Sequence, residues 1–163
     1  MNKIWSALAG AVMGSVLLSV GVADAAPAKY ARHNDAAAQF RKAGVSWASS
    51  KGCADWNKRG CTSFTNINKT TVTGVIAFKN LSKCRVIITA GTEMGHSAGT
   101  YSHRNGYKVD MSKQDGCLDR YVPGHFKRAG ARKDGTKLYK SPAGNVYARE
   151  KSHWDVLYYN GRA

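Results

Sequence analysis

The run His103-Arg104-Asn105-Gly106-Tyr107-Lys108-Val109-Asp110, followed far downstream by Glu150-Lys151-Ser152-His153, holds the residue types that zinc-dependent hydrolysis needs. Two imidazoles and a carboxylate, from His103, Asp110 and His153, make three protein ligands and leave a fourth position open for water. Zinc held there would lower the pKa of that water and polarise a substrate carbonyl. Glu150 is then the expected general base on the water and, later, the acid to the leaving amine. The signal lies in the constellation. Each histidine alone reads first as a surface or core residue, and Asp110 alone as a strand-end carboxylate paired with a lysine. A second Glu-x-x-His, Glu93-Met94-Gly95-His96, lies upstream. A site built from His96, His103 and Asp110 is therefore the rival, with His153 favoured as third ligand. Asp155 is expected to hold the other ring nitrogen of a ligand histidine.

The positioning elements follow from composition and spacing. Residues 91–106 are rich in Gly, Ser and Thr and read as a loop, and Tyr107 to Met111 returns to strand character. Asn105-Gly106 both tolerate positive φ, so the chain can fold back and bring His103 towards Asp110. Val146–Glu150 and Trp154–Tyr159 read as two closing strands joined by a turn at Lys151-Ser152. Arg85–Ala90 is a short β-branched run and reads as a buried strand. Upstream, Asp35 is expected to cap a helix that ends near Gly44. The spacing of Val72, Val75, Ile76 and Leu81 predicts a second helix from about Thr71 to Leu81, with Gly74 as its weak point. Residues 50–70 read as an irregular stapled stretch, and 115–144 as a basic stretch with no assignable element. Helices early and strands late imply an α+β domain, a small antiparallel sheet with helices on one face.

The chain opens with a basic Met1-Asn2-Lys3, runs largely apolar to Val22 and reaches Ala23-Asp24-Ala25-Ala26-Pro27. That pattern reads as a signal peptide, residues 1–26, for a secreted or periplasmic protein. Residues 27–34 read as a flexible leader and 35–163 as one domain. No later apolar run is long enough to span a bilayer, so no transmembrane segment is expected in the mature form, which reads as a monomer. The formal charge of +15 predicts affinity for polyanions but names no partner. The four cysteines all lie in the exported part, where an even count reads as two disulfides. Three connectivities exist. Cys53–Cys61 and Cys84–Cys117 are favoured, because they staple a local loop and brace the segment carrying His103 and Asp110.

The stretch from His103 to Asp110 is similar to the His-x-x-Gly-x-x-x-Asp core of the D-alanyl-D-alanine peptidase family, the hedgehog-like zinc peptidases. Glu150-Lys151-Ser152-His153 resembles that family's downstream Glu-x-x-His. The resemblance covers about a tenth of the chain by these motifs. It implies Zn2+ on His103, Asp110 and His153, Glu150 as catalytic base, and cleavage of a bond next to a D-amino acid in peptidoglycan peptide stems. Departures are also present. The arginine that many members carry before the first motif is replaced by Ala90-Gly91-Thr92-Glu93, leaving His96, Arg104 and Lys108 to stabilise an oxyanion. The serine usual two positions before the first ligand is Tyr101 here, with Ser102 next. Lys108 stands where a small residue is usual and reads as a substrate contact or, more simply, a solvent-facing side chain.

Among the aromatics, Tyr101 and Trp154 adjoin the motifs and are the ones expected to touch substrate; Tyr107, Tyr158 and Tyr159 read as sheet packing. The basic clusters at Lys127-Arg128, Arg132-Lys133 and Lys137 read as a solvated face that could hold an enzyme on anionic cell-wall polymers. Two other classes compete. A small secreted ribonuclease would set Glu93 or Glu150 against a histidine, and a non-catalytic cationic module would bind wall or membrane anions. Neither needs the His103-to-Asp110 spacing. No specific nucleic acid is expected as partner.

Overall fold

A computed structural model describes residues 26–163; the expected signal peptide lies outside the described residues but for Ala26. In chain order the elements are β1 (Lys29–Tyr30), α1 (His33–Lys42), β2 (Ser46–Trp47), β3 (Ile67–Asn68), α2 (Lys69–Ser82), β4 (Ile87–Ala90), β5 (Lys108–Ser112) and α3 (Cys117–His125). They are followed by β6 (Lys127–Ala131), β7 (Lys137–Lys140), β8 (Val146–Arg149) and β9 (His153–Leu157). Seven strands form one sheet in the order β2-β4-β5-β9-β8-β7-β6, while β1 and β3 make a separate pair. The α+β class is as expected.

The sheet is mixed rather than wholly antiparallel, because β2 runs parallel to β4. Between those strands the chain crosses over through β3 and α2, and a long crossover that includes a helix is what parallel neighbours require. The other pairings in this sheet are antiparallel.

Alternation along the central strands separates two faces. Val109 and Met111 of β5, Trp154 and Val156 of β9, and Tyr147 of β8 share one core with helix residues. Those partners are Ala36 and Phe40 of α1, Val72, Val75 and Phe78 of α2, and Leu118 and Val122 of α3, all nearly or fully buried. Burying a Val, Leu, Phe or Met side chain of this set stabilises the domain by about 1.5–3 kcal/mol. Gly74 has a packing reason for interrupting α2: a Cβ there would stand 2.4 Å from the Tyr158 ring. Helix and sheet approach closely only because that side chain is missing.

Several expectations are corrected in detail. α1 starts two residues before Asp35, its N-cap is Arg32, and no side chain caps it. Asp35 instead sits in the first turn, where a carboxylate suits the positive end of the helix, and pairs with Arg32. The stretch expected as a free leader is docked. β1 pairs with β3, Lys69 N–H donates to the Ala28 carbonyl, and Lys29 Nζ donates to the Asn105 carbonyl. These backbone partners leave no trace in side-chain periodicity. α3, β6 and β7 fall in the stretch that composition could not assign. All five residues of β6 are exposed on a sheet edge, so no alternation marks it, and α3 carries Pro123 close to its end.

Two disulfides join Cys53 to Cys61 and Cys84 to Cys117, the favoured pairing, and no cysteine among the described residues is free. The second ties the end of α2 to the start of α3 over a separation of 33 residues. Cross-linking a loop of that length removes unfolded-state entropy worth about 3.7 kcal/mol in the chain-entropy account. Replacing Cys84 and Cys117 together by Ser is therefore expected to lower unfolding free energy by roughly that amount. Denaturant titration of the oxidised parent and the double variant measures it, and a loss under about 1 kcal/mol would refute the brace. Among the described residues no helix is long and apolar enough to cross a membrane.

Candidate metal centre

The face of the sheet opposite the helices carries the candidate chemistry. In the β5–β9 pair Asp110 stands directly across from Asp155, and Ser112 across from His153. Lys108 and Asp110 share this face of β5, as His153 and Asp155 share that of β9. Like charges directly opposite on a sheet repel. Here both carboxylates are also buried, with Asp110 6% and Asp155 7% exposed. One oxygen of each, Asp110 Oδ1 and Asp155 Oδ1, is buried without a hydrogen-bond partner. Buried unpaired carboxylate oxygens are strongly unfavourable, so this face calls for positive charge.

His103 supplies part of it. The Asn105-Gly106 turn returns the chain as its composition suggests: Gly106 has φ +85°, and its N–H donates to the His103 carbonyl. A Cβ on Gly106 would stand 2.5 Å from the Asn66 carbonyl oxygen, so the turn admits glycine for space as well as for φ. The Gly106 carbonyl in turn accepts from Asn68 N–H and from Thr71 Oγ1, which ties the loop to β3 and α2. His103 is 5% exposed, and its Nδ1 donates to the Gly91 carbonyl at 2.7 Å. That bond leaves Nε2 to face Asp110 Oδ1 at 3.3 Å and Asp155 Oδ1 at 3.6 Å. Burial alone would push the His103 pKa down, but Asp110 and Asp155 outweigh it and hold the imidazolium up to about 9.

His153 and Glu150 arrive from the turn between β8 and β9. His153 Nε2 lies 3.4 Å from Asp110 Oδ2 and 3.2 Å from Glu150 Oε2. Its Nδ1 bonds with Ser152 Oγ at 2.9 Å. Asp110 thus presents one oxygen to His103 and the other to His153. The four residues named for the zinc chemistry, His103, Asp110, Glu150 and His153, come together in one cleft of about 750 Å³.

Arg132 was missed. It follows β6 in a segment that reads as a solvated basic face, yet its Nη1 bonds Glu150 Oε1 and its Nη2 bonds Asp155 Oδ2. Lys108 Nζ also reaches Asp155 Oδ2, at 2.8 Å, so it does not point simply to solvent. Burial would raise the Asp155 pKa, but His103 and Lys108 hold it far below the usual carboxylate range. Asp155 sits 3.6 Å from His103 Nε2, not on its Nδ1 as expected, because the Gly91 carbonyl takes that position. A charge run carries no sign that one of its members turns inward; only the β6–β7 hairpin reveals it.

The remaining candidates divide. Tyr101 is 49% exposed, lines the cleft and packs edge-on against Tyr107 and Tyr159. Trp154 is fully buried on the helix side and donates Nε1–H to Asp119, so strand alternation removes it from the cleft. Arg104 is engaged elsewhere, stacked over Trp56 and bonded to the Trp56 carbonyl and Asn57 Oδ1. Glu93 is buried, with its carboxylate accepting from Ser63 and Gly91 N–H. Burial would raise its pKa, but His96 and those donors hold it low. His96 lies beside it, with Nε2 3.4 Å from Glu93 Oε1.

The donor set can be tested against a metal directly. Two ligands bound tetrahedrally at zinc's nitrogen and oxygen distances of 2.0–2.1 Å stand about 3.3–3.4 Å apart. The His103–Asp110 and Asp110–His153 separations are 3.3 and 3.4 Å but run to different Asp110 oxygens, Oδ1 and Oδ2. Among the described residues, the three whose donor atoms all lie within 4.8 Å of one another are His96, His103 and Asp110, the rival set. Two imidazoles and a carboxylate are a donor set that zinc accepts. Comparison with protein-family models, with curated proteins and with solved structures finds no match to this chain.

Proposed function

We propose that this protein is a secreted zinc-dependent peptidase that cleaves bonds next to D-amino acids in peptidoglycan, as a D,D-carboxypeptidase or endopeptidase. The observation that supports the zinc reading is the buried Asp110, which presents Oδ1 to His103 and Oδ2 to His153 in the cleft that also holds Glu150. The substrate class rests on the resemblance of the two motifs to the D-alanyl-D-alanine peptidases.

His103, Asp110 and His153 would hold the zinc, which would supply a Lewis acid and a water of lowered pKa. The residues around it do the rest. Glu150 Oε2, beside His153, takes the water's proton and later returns it to the leaving amine. Arg132 occupies the other Glu150 oxygen, so the carboxylate is oriented with Oε2 towards the ligands. Arg132 and Lys108 also bring fixed positive charge to the cleft wall, where negative charge develops on the scissile carbonyl oxygen. They stand in for the arginine missing before the first motif. Metal held there would have to displace the proton that Asp110 and Asp155 favour on His103. With a folded pKa of about 9, apparent metal affinity falls as pH drops below that value.

The rest of the surface fits a wall enzyme. Lys127 and Arg128 of the exposed strand β6, with the overall charge of +15, would hold the protein on anionic wall polymers. The ribonuclease reading loses Glu93, which is tied to backbone N–H groups, and keeps only Glu150 beside His153.

The mature protein is expected to digest purified peptidoglycan, with release of D-alanine or opening of cross-links. A chelator should abolish that activity and added zinc restore it, while RNA stays intact. Chelator-resistant RNA cleavage would establish the nuclease instead, and binding to wall without any product would establish the cationic module.

A further inference from the structure

We infer that His96 is a fourth, displaceable metal ligand, which closes the site at rest and swings away to admit substrate. The inference rests on the zinc reading above and adds a gate to it.

The rings of His96 and His103 are stacked, with centroids 4.0 Å apart and planes at 21°. One donor atom from each of His96, His103 and Asp110 lies within 4.8 Å of the other two. Tetrahedral ligands stand about 3.3–3.4 Å apart and imidazole lone pairs lie in the ring plane, so His96 joins the set by moving about an ångström or more and turning its ring out of the stack. The Asp110 oxygen that faces His103, Oδ1, has no hydrogen-bond partner. Glu93 prepares the imidazole. A hydrogen bond from one ring nitrogen to a carboxylate leaves the lone pair on the other nitrogen for a metal. Glu93 Oε1 lies 3.4 Å from His96 Nε2, and Glu93 itself is anchored by two backbone donors.

The ligands differ in how firmly they are held. Asp110 belongs to an inner strand and is paired on both sides, and His103 is buried and bonded to the Gly91 carbonyl. His96 rides on residues 94–101, all exposed, between buried Gly91–Glu93 and buried Ser102–His103. Its own side chain is 25% exposed. The same loop supplies Met94, Ser97 and Tyr101 to the cleft wall, so a peptide entering the cleft meets the segment that carries His96. Four protein ligands make a closed zinc site, whereas three leave a position for water. Moving this one loop therefore converts a storage geometry into a working one.

The test replaces zinc by Co(II) in the mature parent and in His96→Ala, and follows the visible Co(II) spectrum, metal affinity and binding of acetohydroxamate. The variant is expected to hold one metal per chain about tenfold or more weakly than the parent. Its Co(II) spectrum should change as solvent replaces an imidazole, and acetohydroxamate should bind more tightly because no protein ligand competes. His96→Gln should behave like His96→Ala, which separates loss of a ligand from loss of bulk. Equal spectra and equal affinities in parent and variants would overturn the inference while leaving the three-ligand site intact. Complete metal loss in His96→Ala, with metal kept by His153→Ala, would overturn it in the other direction by making His96 an obligatory ligand. A parent that binds no metal at all would remove the zinc reading and this inference together.

Discussion

Glu150→Gln is expected to keep its metal and its fold while losing turnover on purified peptidoglycan by at least about a hundredfold, the usual contribution of a general acid–base group. The amide has the shape of the carboxylate and can still hydrogen-bond a water, but it cannot take the water's proton at neutral pH. Glu150 is also half of an ion pair with Arg132, and that pair is only part-buried, so its loss should change stability little. Asp155 still holds the other arm of Arg132. The informative control is Glu93→Gln, which removes a carboxylate of the other Glu-x-x-His. Glu93 is expected to matter for packing of the loop base and not for proton transfer, because its oxygens are occupied by Ser63 and Gly91 N–H. A Glu150→Gln protein that digests wall at close to the parent rate, with its metal in place, would show that the proton goes elsewhere.

His103→Ala and His153→Ala are each expected to lose stoichiometric zinc, measured by elemental analysis of the purified mature proteins. The two losses have different side effects. Removing His103 leaves Asp110 and Asp155 facing each other with no imidazole between them, and breaking a buried charge pair by deleting one partner typically destabilises by about 3–5 kcal/mol. Removing His153 deletes a partly exposed side chain, 24% exposed, and should be milder for the fold. Thermal unfolding in the presence of chelator separates the contributions, since the metal is then absent from parent and variants alike. Full zinc occupancy in either variant would sink the ligand assignment. Metal retained in His153→Ala but lost in His96→Ala would move the site to His96, His103 and Asp110.

The clustering of His103, Asp110, Glu150 and His153 was legible in sequence because it rests on residue types at short spacing. His103, Asp110, Glu150 and His153 announce themselves because few alternatives exist for that combination, and the Asn105-Gly106 turn between the first two is written in residues that tolerate positive φ. Arg132 was not legible, and Lys108 was read as a substrate contact or a solvent-facing side chain but not as the partner of Asp155. A lysine on an edge and an arginine in a basic run look like solvated charge, and what changes their meaning is the strand on which each lies. Trp154 shows the opposite failure: adjacency to His153 in sequence suggested a shared surface, whereas a period of two in a strand sends neighbours to opposite faces. The expected strand began at Trp154, whereas β9 begins at His153, so the alternation was not applied to the pair.

Several features were determined by local sequence. The helical periodicity of α2, the β-branched run of β4, the closing strands β8 and β9 and the cysteine framework all depend on neighbours a few residues away, or on a count of four thiols that an oxidising compartment pairs. The tertiary structure alone decided the rest. The parallel entry of β2, the docking of β1 on β3 and the exposed edge strand β6 are made by backbone hydrogen bonds, which carry no side-chain signature. The register of β5 against β9 set Asp110 opposite Asp155, and a slip of either strand by one residue would have sent that strand's carboxylate into the apolar core. Burial then made two ordinary aspartates depend on partners, because removing solvent leaves their charge to be met by His103, Lys108 and Arg132.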